Sequence, residues 1–439
     1  MPKKQSYWIQ SGKFTLLERF SVLIFGVFTF ILLVRILGKE QYGAWMLFIS
    51  LATLLETARN GFFKNPLIRF SNTENETEKG LIQSTSLVLN ILFSIGISVI
   101  LAIIAIPLAE AWQAPDLVEL LYLFIPTSII LALFFHFDYI QRANFQFFGP
   151  FLGYFFKNGL LFFVVLFHFI FNYQLTLFQL GIWYGASALT GTLVSFIASK
   201  RKISFQMNKR WTRALFSYGK YTLGTNLSAV LMRNIDIWMI GWYLTPAAVA
   251  VYNVAIRIAN LFEVPSMALA SILFPEAVRR AEAEGDVAMK SLYEKSVAVI
   301  LLFSVPFAIF VIIFSNEIVA LLAGAEYAEA GIILNITMLY GLLIPFNKQM
   351  GVVLDAVGKA KKNMFFVMRN AIINTILNIL LIPYIGVMGA ALATLSSMII
   401  VLLLNQVYLY KNFEISLKNI AFHFGNYGQK AFKKVLKLK

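Results

Sequence analysis

The feature that most restricts this chain is a run of apolar residues, about twenty long, that recurs from one end to the other. The first lies over residues 14–36 and is followed directly by a second over 42–63. A run of that length matches the thickness of a bilayer's hydrocarbon core. No water is there to pair with backbone N–H and C=O groups, so each run has to be helical. Spans are expected at 14–36, 42–63, 81–106, 117–140, 150–171, 177–198, 214–242, 247–272, 296–314, 329–354, 364–382 and 388–410. The implied fold is an all-α integral membrane protein of about twelve transmembrane helices. Composition agrees: 59% of residues are hydrophobic and 13% charged, about half the charged share of a soluble domain.

The Lys and Arg residues report the sidedness. Segments 1–13, 64–80, 141–149, 199–213, 273–295, 355–363 and 411–439 together hold 27 of them, and the alternate connections hold only Arg35 and Lys39. Positive charge collects on cytoplasmic loops, so both termini of a multi-pass protein are placed in the cytoplasm. The N-terminus reads as the first membrane helix rather than a cleavable signal. A net charge of +15 that is dispersed between apolar runs forms no nucleic-acid surface. Cysteine is absent and the three histidines (His136, His168, His423) are scattered, so no metal site is expected. No Walker A, HExxH or GxSxG motif occurs, which leaves catalytic residues and cofactors unassigned and the chain without an ATPase.

A weak internal repeat divides the chain. Leu37-Gly-Lys-Glu-Gln-Tyr-Gly-Ala-Trp45 is echoed 207 residues later by Leu244-Thr-Pro-Ala-Ala-Val-Ala-Val-Tyr252. Both read as tight outer turns, with Gly43 and Ala250 two places before Trp45 and Tyr252. Two pseudo-symmetric six-helix bundles are a transporter layout, here 1–205 and 206–413. The remainder, 414–439, mixes lysines with Phe422, Phe424, Phe432 and Val435, as a basic amphipathic segment on the cytoplasmic leaflet would.

Ionisable residues inside membrane spans are costly and mark sites or pathways. Arg19, Arg59, Lys220, Lys348 and Arg369 lie within about two turns of a cytoplasmic helix end and can extend to the headgroups. Lys157 sits toward the inner end of a Phe-rich span. Arg233 and Arg257 are about ten residues from the outer ends of their spans, which is near mid-membrane at about 1.5 Å per residue. They are candidates to line a cavity, with pairing of Arg233 to Asp236 and of Arg257 to Glu263 or Glu56 as the structural alternative. Asp236 and Glu263, at similar depth, are candidates to carry a proton or a sodium ion. Glu56–Arg59 and Asp138–Arg142 have the spacing of local salt bridges. Asn370, Asn374 and Asn378 form a stripe that suits either sugar binding or helix-to-helix hydrogen bonding. Pro126, Pro265, Pro306 and Pro345 are expected to interrupt helices.

Several stretches resemble the polysaccharide transporter family. These are Asn234-Ile-Asp236, Ile240-Gly-Trp-Tyr-Leu244, Val251-Tyr-Asn-Val-Ala-Ile-Arg257-Ile-Ala-Asn260 and Leu273-Phe-Pro275. They continue with Leu321-Leu-Ala-Gly-Ala-Glu-Tyr327, Leu354-Asp-Ala-Val-Gly-Lys359, and Asn374, Asn378 and Ile382-Pro-Tyr-Ile-Gly386 ahead of Gly389-Ala-Ala391. Leu37-Gly38 and Tyr42-Gly43 match near the start. Ala250 departs from the pattern, where a glycine is usual. The family comprises Wzx-type oligosaccharide flippases of the multidrug/oligosaccharidyl-lipid/polysaccharide exporter superfamily. The resemblance implies two six-helix bundles around a central, often cationic cavity. It also implies movement of undecaprenyl-diphosphate-linked oligosaccharide (a repeat unit of O-antigen, lipopolysaccharide, capsule or exopolysaccharide) to the periplasmic leaflet, driven by an ion gradient, with glycan polymerases as partners. On this view Arg233, Arg257, Arg19, Arg59, Lys348, Asn374 and Asn378 contact substrate, and Asp236 and Glu263 couple the ion.

Three rivals differ in testable features. A cation-coupled drug or metabolite exporter of the same superfamily favours a more acidic or aromatic cavity. Lipid-II flippases usually have fourteen helices, against the twelve expected here. A membrane-embedded lipid-processing enzyme needs clustered His or acidic residues at one interface. A channel is disfavoured because the charges are sparse and form no rings.

Overall fold

The structure is a computed structural model and describes residues 2–199, 204–260 and 286–436. Its described elements are helical. Nine of the described helical stretches are long and apolar enough to cross a membrane, and large apolar side chains such as Ile103, Phe303 and Tyr384 stand exposed on them. In water such a surface would aggregate, whereas in lipid it is the expected perimeter. The protein is a multi-pass integral membrane protein. The other expected spans, 42–63, 214–242 and 247–272, are helical wherever they are described. Glu56, Arg59, Lys220, Arg233 and Asp236 make the first two of these less apolar than the rest.

The chain divides into two compact units, residues 1–234 with 245–250, and 235–244 with 251 onward. The first contains α1 (Pro2–Ile36), α2 (Lys39–Arg59), a π-helical turn (Asn60–Lys64), α3 (Asn65–Thr73), α4 (Glu76–Ala111), α5 (Asp116–Ala143), α6 (Phe148–Ile170), α7 (Leu177–Ser199) and the larger part of α8 (Lys209–Tyr243). Its main packing pairs are α1 with α6, α4 with α5, and α7 with both α5 and α6. Local sequence sets the helix starts. Asn75 accepts a hydrogen bond from the Glu78 N–H (3.0 Å), and Glu76 and Glu78 lie in the positive first turn of α4. Thr176 and Gln179 form a reciprocal capping box at the start of α7 (3.1 and 3.2 Å).

The second unit contains most of α9 (Pro246–Asn260), then α10 (Asp286–Ile313), α11 (Ser315–Ala323), α12 (Ala330–Gly341), α13 (Ile344–Ala356), α14 (Ala360–Ile385), α15 (Val387–Phe413) and α16 (Leu417–Leu436). Helix α14 packs along α15, and α16 lies on α10. Gly386, at φ +66°, makes the reversal between α14 and α15 in a conformation that L side chains rarely adopt.

Several boundaries differ from expectation. The second span continues as helix through the π turn to Thr73, so the expected loop 64–80 shrinks to residues 74–75. The expected outer loop 315–328 contains α11 and a 3₁₀ turn (Ala325–Tyr327). The single helix expected at 329–354 breaks between α12 and α13, ahead of Pro345, which has no N–H for the ladder. Pro126 and Pro306 lie inside continuous helices and interrupt neither, and Pro265 is outside the described residues. Gly43 is not in a turn. It lies within α2, where a Cβ would come 1.7 Å from the Pro246 carbonyl oxygen, so the two backbones touch at the start of α9.

Candidate functional site

In the first unit the sequence places Arg59 at the last residue of α2, directly before the π turn. It does not extend to the headgroups as expected. Its side chain is buried (2% exposed) and turned toward α4 and α5. Nη2 donates to Ser94 Oγ and to the Ser128 carbonyl, both at 2.9 Å, and the guanidinium faces the Phe135 ring at 5.8 Å. Nε and Nη1 have no hydrogen-bond partner among the described residues. Glu56 does not pair with Arg59. It accepts from the Tyr184 hydroxyl (3.0 Å), while the Tyr139 hydroxyl donates to Asn60 Oδ1 (2.6 Å). Arg59 is therefore a buried cation that keeps part of its donor fork unused, an arrangement suited to a planar or tetrahedral oxyanion.

A second charged group ties α1 to α5. Arg142 Nε donates to both oxygens of Asp138 (2.8 and 2.9 Å), as the i, i+4 spacing implies, and its Nη2 donates to both oxygens of Glu18 (2.8 and 2.9 Å). Glu18 had no sequence signal, because its partner lies 124 residues away. Lys157 lies over the rings of Phe134 (5.4 Å) and Phe135 (5.8 Å), a cation–π contact with no carboxylate in it.

In the second unit the centre is Asp236 on α8. Its Oδ2 accepts from the Tyr252 hydroxyl (2.7 Å) and from Thr394 Oγ1 (2.9 Å), and its Oδ1 accepts from Asn378 Nδ2 (2.8 Å). Asn378 Nδ2 also reaches Asn374 Oδ1 (3.1 Å), and Asn374 Nδ2 donates to Thr394 Oγ1 (3.1 Å). All the donors to Asp236 are neutral, so the expected alternative of an Arg233–Asp236 pair is not what holds this carboxylate. Asp236, Tyr252, Asn374 and Asn378 are buried, and Asn378 Oδ1 has no partner among the described residues. A carboxylate and amide oxygens gathered in a dry helix interface offer hard ligands for a proton or a small cation.

The sequence singled out Asp236 and the stripe of Asn374 and Asn378 separately and did not join the two. Asn374 and Asn378 share a face of α14 as the stripe implied, but the structure groups them with Asp236. Asn370 instead accepts from Arg369 Nη2 (3.2 Å), which also reaches Asn405 Oδ1 (2.5 Å). Tyr252 and Thr394 were not singled out as site residues. Each offers a hydroxyl in a helix, which sequence alone cannot aim. Arg233 and Arg19 are exposed, and Lys348 is half-buried on α13. Arg257 is half-buried and its Nε donates to Asn253 Oδ1 at 3.4 Å. Glu263 lies outside the described residues.

Comparison with known proteins places the chain in a family. The profile described as polysaccharide biosynthesis protein matches residues 32–331, more than half of the chain. The chain belongs to that family. As a member, it is 27% identical over 226 residues to the probable low-salt glycan biosynthesis flippase Agl15 of Haloferax volcanii, which is 51% of this chain and 48% of that protein. It is 24% identical over 294 residues to the amylovoran biosynthesis protein AmsL of Erwinia amylovora (65% and 73%). The chain spans about half the length of the first of these relatives. Among solved structures it shares the fold of the lipid II flippase MurJ, with a TM-score of 0.80 at 15% identity over 97% of this chain and 92% of that one. It also shares the fold of an inward-facing MATE transporter, with a TM-score of 0.78 at 13% identity over 90% and 94%. The polysaccharide-transporter resemblance and the helical transporter fold expected from the sequence are thus both met.

Proposed function

We propose that this protein is a flippase that moves a lipid-linked oligosaccharide, on an undecaprenyl-diphosphate carrier, from the cytoplasmic to the periplasmic leaflet of a bacterial inner membrane by alternating access. The observation that carries the reading is Arg59, a buried guanidinium whose Nε and Nη1, with three N–H bonds between them, have no partner among the described residues. A diphosphate carries the charge and the oxygen pairs that such a fork recognises. Membership of a polysaccharide biosynthesis family, and relatives named as flippases, supply the glycan. Arg257, Arg233, Arg19 and Lys348 are the further basic residues assigned to substrate contact, with both termini in the cytoplasm. The Asp236 cage takes the coupling role, as a site for a proton or sodium ion, with Asn378, Tyr252 and Thr394 holding the carboxylate and Asn374 bonded to Asn378 and Thr394. The O-antigen, capsule or exopolysaccharide identity of the glycan, and a glycan polymerase that receives it, complete the proposal.

The test is deletion of the gene followed by measurement of lipid-linked oligosaccharide on each leaflet. The reading expects cytoplasmic accumulation that wild-type protein reverses and Arg59→Ala does not. The likeness to a MATE transporter favours a second reading, a cation-coupled exporter of drugs or metabolites. In that case deletion leaves the lipid-linked glycan evenly processed and changes susceptibility to toxic cations.

A further inference from the structure

The last membrane helix and the terminal amphipathic helix meet in a feature that glycan transport does not use. An open groove of about 370 Å³ lies at the joint of α15 and α16, lined by Gln406, Val407, Tyr410, Lys411, Ser416, Leu417 and Lys418. The joint is held by Gln406, whose Nε2 donates to the Ile415 carbonyl (2.7 Å). The other end of that amide, Oε1, is buried without a partner. Leu403, Val407 and Tyr410 follow one another at helical spacing on α15 and are all exposed (58%, 55% and 62%). They form an apolar strip in the membrane that ends where Lys411 and Lys418 begin.

Charge in the groove is one-sided. The two carboxylates nearest the joint already have partners, Glu294 within the joint and Glu414 beside it. Glu294 accepts from the Ser416 N–H (2.9 Å) and from Asn419 Nδ2 (3.1 Å), and Glu414 pairs with Lys290 (3.5 Å). Lys411 and Lys418 are exposed and appear in no ion pair among the described residues. Glu294 already occupies the N–H at the start of α16, so the lysines, and not the helix dipole, supply the field.

We propose that this groove binds the headgroup of an anionic glycerophospholipid, with phosphate at Lys411 and Lys418 and an acyl chain along Val407 and Leu403. The chemistry selects phosphatidylglycerol, which brings a net negative charge. Phosphatidylcholine does not, because its quaternary ammonium balances the phosphate. The bound lipid fixes α16 against the bilayer surface. The site is separate from the glycan route, so it stands or falls independently of the transport reading.

The experiment is native mass spectrometry of the purified full-length protein in detergent, titrated with dioleoyl-phosphatidylglycerol or dioleoyl-phosphatidylcholine. Wild-type protein is expected to bind one phosphatidylglycerol at least tenfold more tightly than phosphatidylcholine. Two basic residues near a lipid surface contribute about 1 kcal/mol each, so Lys411→Gln with Lys418→Gln should weaken phosphatidylglycerol binding about thirtyfold. Both lysines are exposed, so the exchange leaves packing intact. Lys430→Gln with Lys433→Gln, on the same helix outside the groove, should leave binding within twofold of wild type. Equal affinity for the two lipids, or an equal loss in the two lysine pairs, would overturn the proposal.

Discussion

Replacing Arg59 with methionine should remove flipping without costing stability. Arg59 gains from two hydrogen bonds through Nη2, to Ser94 and to the Ser128 carbonyl, and a bond to a charged donor contributes about 1.5–3 kcal/mol. Against that stand Nε and Nη1, buried without partners, at about 1–3 kcal/mol each. The ion's own desolvation adds several kcal/mol more. The acceptors survive the exchange. Ser94 Oγ still donates to the Asn90 carbonyl, and the Ser128 carbonyl is part of the α5 ladder. Methionine fills similar volume beside Phe135 with no polar atom to satisfy. The expected change lies between neutral and about 4 kcal/mol stabilising, the range seen when buried ions are exchanged for apolar residues. The assay pairs denaturant unfolding in lipid nanodiscs with complementation of a deletion strain. Arg59→Lys serves as the partner variant, because it keeps the charge but loses the fork. A loss of more than 3 kcal/mol in Arg59→Met, with surface glycan intact, would show that Arg59 is a structural cation and sink the ligand argument.

Further outcomes follow from other contacts. Asp236→Asn keeps the size of the side chain inside the Tyr252–Thr394–Asn378 cage and should abolish the dependence of transport on the proton or sodium gradient, while folded protein is retained. Gradient-dependent flipping in vesicles made from that variant would contradict the coupling role. Arg142→Ala strips the shared partner from Glu18 and Asp138 and should destabilise the protein by about 3–5 kcal/mol in nanodisc unfolding, with much of the loss recovered in an Arg142→Met/Asp138→Leu/Glu18→Gln variant. Gly43→Leu forces a side chain into the Pro246 backbone and should shift the protein from a single size-exclusion peak to aggregate, whereas Gly38→Leu, with open space around it, should not.

Much of the fold is legible because a bilayer leaves few choices: apolar length gives the spans. The site is less legible. Depth along a helix can be counted, which is why Asp236 and the Asn374/Asn378 stripe stand out. The direction in which a side chain points requires the neighbours. Arg59 lies near a helix end by count, yet Ser94 and Ser128 from two other helices draw it inward. Tyr252 and Thr394 converge on Asp236 from 16 and 158 residues away, and nothing in the local sequence of either announces that. Arg142 shows both sides: its bond to Asp138 follows from spacing on one helix, and its bond to Glu18 does not.

The π turn at Asn60–Lys64 has a consequence for descent. Such a turn is one residue more than an α-helix needs, and it lets the helix accept that residue without shifting the faces beyond it. An ordinary one-residue insertion would rotate everything that follows by about 100°. Here the turn spans five positions, and the Gly61 carbonyl within it accepts from the Thr222 hydroxyl. A pairwise alignment with a relative whose second span is a plain α-helix should therefore open a one-residue gap between 60 and 64. Aligning straight through would set Arg59, or else Phe62 and Phe63, against the wrong partners.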